Sequence, residues 1–170
     1  MKIGRLTISD RASTGVYADR SGPEIERLLR GEFGETTAFL AAVVPDEVPA
    51  IVARLRAFAD EEQCDLVVTT GGTGIGERDV TPEATRQVLE KELPGFGELM
   101  RVQSFARVRT SILSRATAGV RGRTLIVNLP GKPRAVAECL GLLADAIREG
   151  VAHLQGRDPH APPAKPASLP

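Results

Sequence analysis

Aromatic residues are scarce in this chain: among 170 residues there is no tryptophan, one tyrosine and five phenylalanines. Three of those, Phe39, Phe58 and Phe96, fall within apolar strand or helix patterns, which leaves little to stack on unpaired bases and disfavours nucleic acid as a partner. The two cysteines, Cys64 and Cys139, lie far apart, one beside an apolar strand and one on a helix, and read as reduced core thiols, not as a disulfide framework. The two histidines, His153 and His160, match no metal-ligand spacing, which argues against a zinc site or a histidine-based triad. No run approaches the roughly 20 apolar residues that span a bilayer. The opening MKIGRLTISD alternates like a strand and lacks a secretory core and cleavage site, so a cytoplasmic protein without a membrane partner is expected. Net charge is absent too: 22 basic and 22 acidic residues cancel, removing any whole-molecule attraction to polyanions.

What is present is alternation. Strand-like apolar runs occur at Ile3 to Ile8, Ala38 to Val44, Leu66 to Thr70 and Thr124 to Leu129. Helical periods lie between them. One follows Ser21-Gly22 as its cap, and one opens after Asp46 with Val48, Ile51, Val52, Leu55, Phe58 and Ala59 on one face. A third starts at Thr81-Pro82-Glu83 and runs to about Leu89, with Thr81 as cap and Pro82 in the first turn. The last starts after Pro133 and carries Val136, Leu140, Leu143, Ile147, Val151 and Leu154 at steps of three or four. Leu113 to Arg123 breaks the alternation, and its Gly119 and Gly122 predict a hairpin or turn. Such an order predicts an α/β fold with a mostly parallel sheet and ligands at the carboxyl ends of its strands. The length suits one domain, residues 1–156, and the proline-rich stretch 157–170 reads as a mobile tail.

The stretch Val68 to Glu83, VTTGGTGIGERDVTPE, packs four glycines into six positions and follows a strand. Glycine-rich turns let backbone N–H groups meet an anion without an intervening Cβ, and phosphate is the natural partner. Gly71 and Gly76 have the Walker A spacing, but Glu77 and Arg78 stand where that motif needs Lys and Ser or Thr, so a P-loop NTPase is rejected. The dinucleotide fingerprint also fails, being one residue short across Gly72 to Gly76. Thr69, Thr70 and Thr73 add hydroxyls, and Asp79 closes the loop. A carboxylate beside phosphates calls for a cation, and Mg²⁺ is commonly held by one or two carboxylates plus substrate phosphates. Asp46, after a neighbouring strand, is the second candidate ligand, with an N-cap as its plain alternative.

One asymmetry hides under the neutral total. From Leu99 to Ala137 there is no acid, while Arg101, Arg107, Arg109, Arg115, Arg121, Arg123, Lys132 and Arg134 are all present. A multiply charged phosphate ligand would need such a segment; arginines paired with distant acids are the structural alternative, and RNA is the rival ligand. Within it, Asn128-Leu129-Pro130-Gly131-Lys132-Pro133 is a second strand-turn-helix loop, and Ser9-Asp10-Arg11 is a third polar strand end. Three such ends define a crevice.

These pieces, in this order, resemble the MoaB/Mog family, most closely its MogA-like molybdopterin adenylyltransferases: ISDRASTGVYADRSGP, VVPDE, TTGGTGIGERDVTPEAT, LPGFGELMR, ILSRATAGVRG and TLIVNLPGKP cover nearly all of residues 3–150. The resemblance implies a three-layer α/β/α domain, usually trimeric, that joins molybdopterin to AMP from Mg-ATP, releases pyrophosphate and hands its product to a molybdate-insertion protein. Carried over, Asp79 and Asp46 are the acids of Mg-ATP handling and catalysis. Asp10, Thr70, Gly71, Gly72, Thr73, Gly74, Ser114, Asn128, Pro130 and Gly131 fall on the binding loops. A MoaB-like protein and a non-catalytic pterin-binding module are the alternatives; retention of both aspartates argues against the latter.

Overall fold

The structure is a computed structural model and describes residues 1–157. The tail expected from residue 157, with His160 in it, therefore lies outside the described residues from 158 onward. Along the chain run β1 (Lys2–Ile8), α1 (Asp10–Ser13), α2 (Ser21–Phe33), β2 (Ala38–Val44), α3 (Val48–Arg56), β3 (Leu66–Thr70) and α4 (Thr81–Arg86). Then come β4 (Lys91–Glu92), α5 (Pro94–Phe105), a 3₁₀ turn (Arg109–Leu113), β5 (Ala118–Arg121), β6 (Thr124–Leu129) and α6 (Pro133–Leu154). A π turn, Ala57–Glu61, prolongs α3. The sheet order is β2-β1-β3-β6-β5-β4; the first four strands are parallel, β5 pairs antiparallel with β6, and β4 pairs antiparallel with β5. This is a three-layer α/β/α fold.

The central strands are apolar on both faces because both are covered, and alternate residues feed opposite layers. Ile3, Leu66, Val68, Leu125 and Val127 pack with Ile25, Leu29, Met100, Leu140 and Ile147 from α2, α5 and α6. Leu6, Val67 and Ile126 pack on the other face with Ile51, Leu55, Phe58 and Val88. Phe58 is fully buried, which stabilises by about 1.5–3 kcal/mol, and its ring lies where a side chain at residue 4 would be, 2.9 Å from an added Cβ on Gly4. Both cysteines are free and buried, and loss of solvent pushes each thiol up to about 11.

The expected helix caps differ from those found. Ser21 lies inside α2, and it is Asp19 Oδ1 that accepts from the N–H groups of Ser21 (3.1 Å) and Gly22 (2.9 Å). Asp46 does not cap α3, whose cap residue is Glu47, because its carboxylate is turned to the β1 loop. Thr81 is the first residue of α4, and its hydroxyl donates to the carbonyl oxygen of Gly71 at 2.9 Å. That helix also ends at Arg86, short of Leu89. At Asp46 and Thr81 a partner distant in sequence displaced the local cap, whereas at α2 the cap moved to the neighbouring Asp19. The hairpin around Gly122 is present as β5 and β6.

Candidate functional site: two crevices on one ridge

Parallel pairing in register sets the exits of β2, β1, β3 and β6 side by side: Ile8 faces Val44, Thr7 faces Thr70, and Thr70 faces Leu129. The loops that leave them therefore meet at one edge. They border a crevice of about 570 Å³ whose walls include Asp10, Asp46, Asp79, Gly71, Gly72 and Lys132. Asp10 and Asp46 are laced reciprocally: the Asp10 N–H donates to Asp46 Oδ2 at 2.8 Å, and the Asp46 N–H donates to Asp10 Oδ1 at 3.0 Å. Arg78 binds the Asp10 carboxylate with two contacts of 3.0 and 2.9 Å. That hydrogen-bonded guanidinium, helped by the Asp46 N–H, holds Asp10 below the usual carboxylate range. Asp46 goes the other way, raised first by burial and then by the charges of Asp10 and Asp79.

Asp46 is thus a half-buried acid whose charge is poorly compensated, and oxygen donors of this kind suit a hard divalent cation. No group of three or more His, Cys, Asp or Glu side chains suited to a metal exists among the described residues. The donor set consequently fits Mg²⁺ that arrives with phosphates and water, not a resident ion in a protein cage.

The glycine loop forms a ridge, and what crowds its glycines is the protein itself. A Cβ on Gly71, at φ +102°, would lie 2.2 Å from the Ile8 carbonyl oxygen. One on Gly72 would meet Thr81 Oγ1 at 2.3 Å and Asp46 Oδ1 at 3.0 Å, and ones on Gly74 and Gly76 would press on Asp79 Oδ2 at 2.8 and 2.9 Å. The Gly76 N–H donates to Asp79 Oδ2 at 2.8 Å, so the carboxylate is folded against its own loop. The close approach expected of a phosphate is met here by the chain's own oxygens: the Ile8 carbonyl, the Thr81 hydroxyl and the carboxylates of Asp46 and Asp79.

Across the ridge lies a second crevice of about 420 Å³, lined by Thr73, Gly74, Met100, Arg101, Ser114 and Pro130 among others. Its wall is largely apolar, with Ser104, Ser111 and Ser114 among its polar points and Arg101, Lys132 and Glu138 as charged groups at its border. Gly131 and Lys132 border both crevices. The sequence-expected residues therefore divide: Asp10, Asp46, Thr70, Gly71, Gly72 and Asp79 face the acidic side, and Thr73, Gly74, Ser114 and Pro130 the apolar side. Asn128 lines neither. Its fully buried side chain donates to the hydroxyls of Thr69 and Thr85, each at 3.0 Å.

Most of the acid-free segment serves structure. Arg101 donates to the carbonyls of Ser114 (3.1 Å) and Ala116 (3.2 Å), Arg121 grips Asp60, and Arg134 meets Glu138. Lys132 alone of the eight borders the acidic crevice. Arg78 and Asp19 were not singled out from the sequence. Asp19 lines that crevice with its carboxylate taken up by Arg5, Thr7 and the start of α2. An acid just before Ser-Gly-Pro was the available signal.

Residues 4–149 match the family model described as a probable molybdopterin binding domain. A molybdopterin adenylyltransferase of Helicobacter pylori is 53% identical over 145 residues, 85% of this chain and 82% of that protein. The Escherichia coli K12 molybdopterin adenylyltransferase is 44% identical over 153 residues, 90% of this chain and 78% of that protein. Among solved structures, the molybdopterin biosynthesis enzyme MoaB of Thermus thermophilus superposes with a TM-score of 0.82 at 41% identity, covering 92% of this chain and 97% of that one. A MogA structure gives 0.83 at 38% identity, covering 91% and 99%.

Proposed function

Because this chain belongs to the molybdopterin-binding domain family and, like relatives 44% and 53% identical to it, is a molybdopterin adenylyltransferase, we propose that its acidic crevice takes Mg-ATP and its apolar crevice takes the pterin. The observation that carries this assignment is the single ridge, Gly71 to Asp79, with carboxylates on one side and Ser114 in an apolar wall on the other. A flat heterocycle suits the apolar wall, and a triphosphate accompanied by a cation suits the carboxylates.

The reaction joins a terminal phosphate oxygen of molybdopterin to the α-phosphorus of ATP and breaks its bond to the β-phosphate, so that pyrophosphate leaves. A phosphate monoester has a second pKa of about 6, so the nucleophile is already largely anionic at neutral pH and needs no general base. The difficulty is bringing two anions together. Asp46 and Asp79 would hold Mg²⁺, which when bound neutralises phosphate charge. Lys132, bordering both crevices, adds positive charge where the two substrates meet. The loops orient the reacting groups, and positioning of this kind supplies much of phosphoryl-type transfer.

The reading extends to a homotrimer, supported by the exposed Val102 of α5 and Ile112 of the turn after it, and to hand-off of product to a molybdate-insertion protein. Sedimentation tests the first of these. The catalytic assignment is tested by Mg²⁺-dependent formation of adenylylated molybdopterin with Asp79→Ala beside the wild type. Product should fall by more than about 10²-fold, the usual loss on removing an electrostatic stabiliser, with pterin binding retained. Loss of folding, or unchanged turnover, would refute the role given to Asp79.

A further inference from the structure

Arg115 touches neither side chain of the proposed metal pair, yet it holds the ridge that presents one of them, Asp79. Its main-chain N–H donates to the Thr73 carbonyl at 2.8 Å. Its Nε donates to the Gly74 carbonyl at 2.6 Å, its Nη2 to the Asp79 carbonyl, and its Nη1 to the Glu83 carboxylate in the first turn of α4. One planar guanidinium therefore closes the loop from Gly74 to Asp79 and ties it to the helix that follows. A lysine has no such fork. Because each peptide is trans and planar, fixing the Gly74 and Asp79 carbonyls also fixes the opposite direction of the Ile75 and Val80 N–H groups. The residue before it, Ser114, lines the apolar crevice, so the two walls are joined through adjacent residues.

We propose that Arg115 is a positioning residue that sets the geometry of one crevice relative to the other, and so acts on the transfer step, not on the binding of either substrate. This rests on the two-crevice reading above. A segment that must align two substrates gains from being held rigid, since a small misplacement of reacting groups slows transfer far more than it weakens binding.

The test compares Arg115→Ala, Arg115→Lys and Glu83→Gln with the wild type. Hydrogen exchange should rise in Arg115→Ala at amides 74–80 while the sheet stays protected, a readout that does not depend on the identity of the substrates. Equilibrium binding of Mg-ATP alone and of molybdopterin alone should each change less than about threefold, while kcat falls by about 10²-fold. Arg115→Lys should restore less than a tenth of the loss, and Glu83→Gln, which leaves both carbonyl contacts, should be intermediate. A large rise in the Mg-ATP Kd that lysine rescues would make Arg115 a phosphate contact and overturn the proposal. Unaltered exchange at 74–80, or a normal kcat per correctly folded active site, would also overturn it. Faster loop exchange with both bindings intact and kcat unchanged would sink the positioning role while leaving the loop description standing.

Discussion

In a Gly71→Ala variant the new methyl group would stand 2.2 Å from the carbonyl oxygen of Ile8, on backbone at φ +102°. Two costs add. An L side chain at positive φ costs about 1–2 kcal/mol, and pushing an extra methyl into filled space costs about 1–3 kcal/mol. The sum, about 2–5 kcal/mol, should lower Tm by roughly 4–20 °C, at about 2–4 °C per kcal/mol for a chain of this size. Gly122 supplies the control. It too has positive φ, +54°, but an added Cβ meets nothing within 4 Å, so Gly122→Ala carries only the first cost. Urea titrations of both variants, with equal m-values required for comparison, separate conformation from close approach. Gly71→Ala no more destabilised than Gly122→Ala would refute the claim that β1 and the ridge are packed backbone to backbone.

Asp46→Asn should be more stable than the wild type at pH 7 while losing adenylyl transfer. The raised folded pKa means that the ionised carboxylate opposes folding above it, that stability is regained as pH falls through the window down to the ordinary 3.8, and that the variant's advantage in urea therefore vanishes in acid. Asp10 has the opposite sign: its lowered pKa gives stability present above 3.8 and lost as pH falls through the folded value, so Asp10→Asn should be less stable at pH 7. Asn128→Ala should cost about 2–4 kcal/mol in urea unfolding, since it strips the donor from two hydroxyls in a fully buried site. At pH 8 both thiols should resist an aromatic disulfide reagent until the protein unfolds, as burial and a pKa of about 11 both suppress the thiolate.

The strands β3 and β6 were readable to the residue because a covered strand needs an unbroken apolar run, while β2, a half-exposed edge strand, was readable from the apolar run and clear punctuation of Ala38 to Val44. Helix α5 was not read. Gly95 and Gly97 weaken the helix propensity of its first turn, and Gly97 is required because a Cβ there would sit 2.1 Å from the Ala116 carbonyl. The caps failed for a related reason: Asp46 and Thr81 obey local rules only when no distant partner competes, and Asp10 and Gly71 compete. Within the site, Asp46 and Asp79 were legible as acids after parallel strands. Arg115 was hidden among eight cations, because which of them meets a carbonyl depends on tertiary contacts that charge counting cannot see.

The reciprocal pair of hydrogen bonds between Asp10 and Asp46 has a consequence for dissecting the crevice by mutation. Each residue's carboxylate orients the other's main chain, so neither can be altered while its partner stays as it was. Their effects should not sum: in a double-mutant cycle followed by urea unfolding, the change on replacing both should differ from the sum of the gain from Asp46→Asn and the loss from Asp10→Asn. The genetic unit at this edge of the sheet is the pair, joined across 36 positions of sequence.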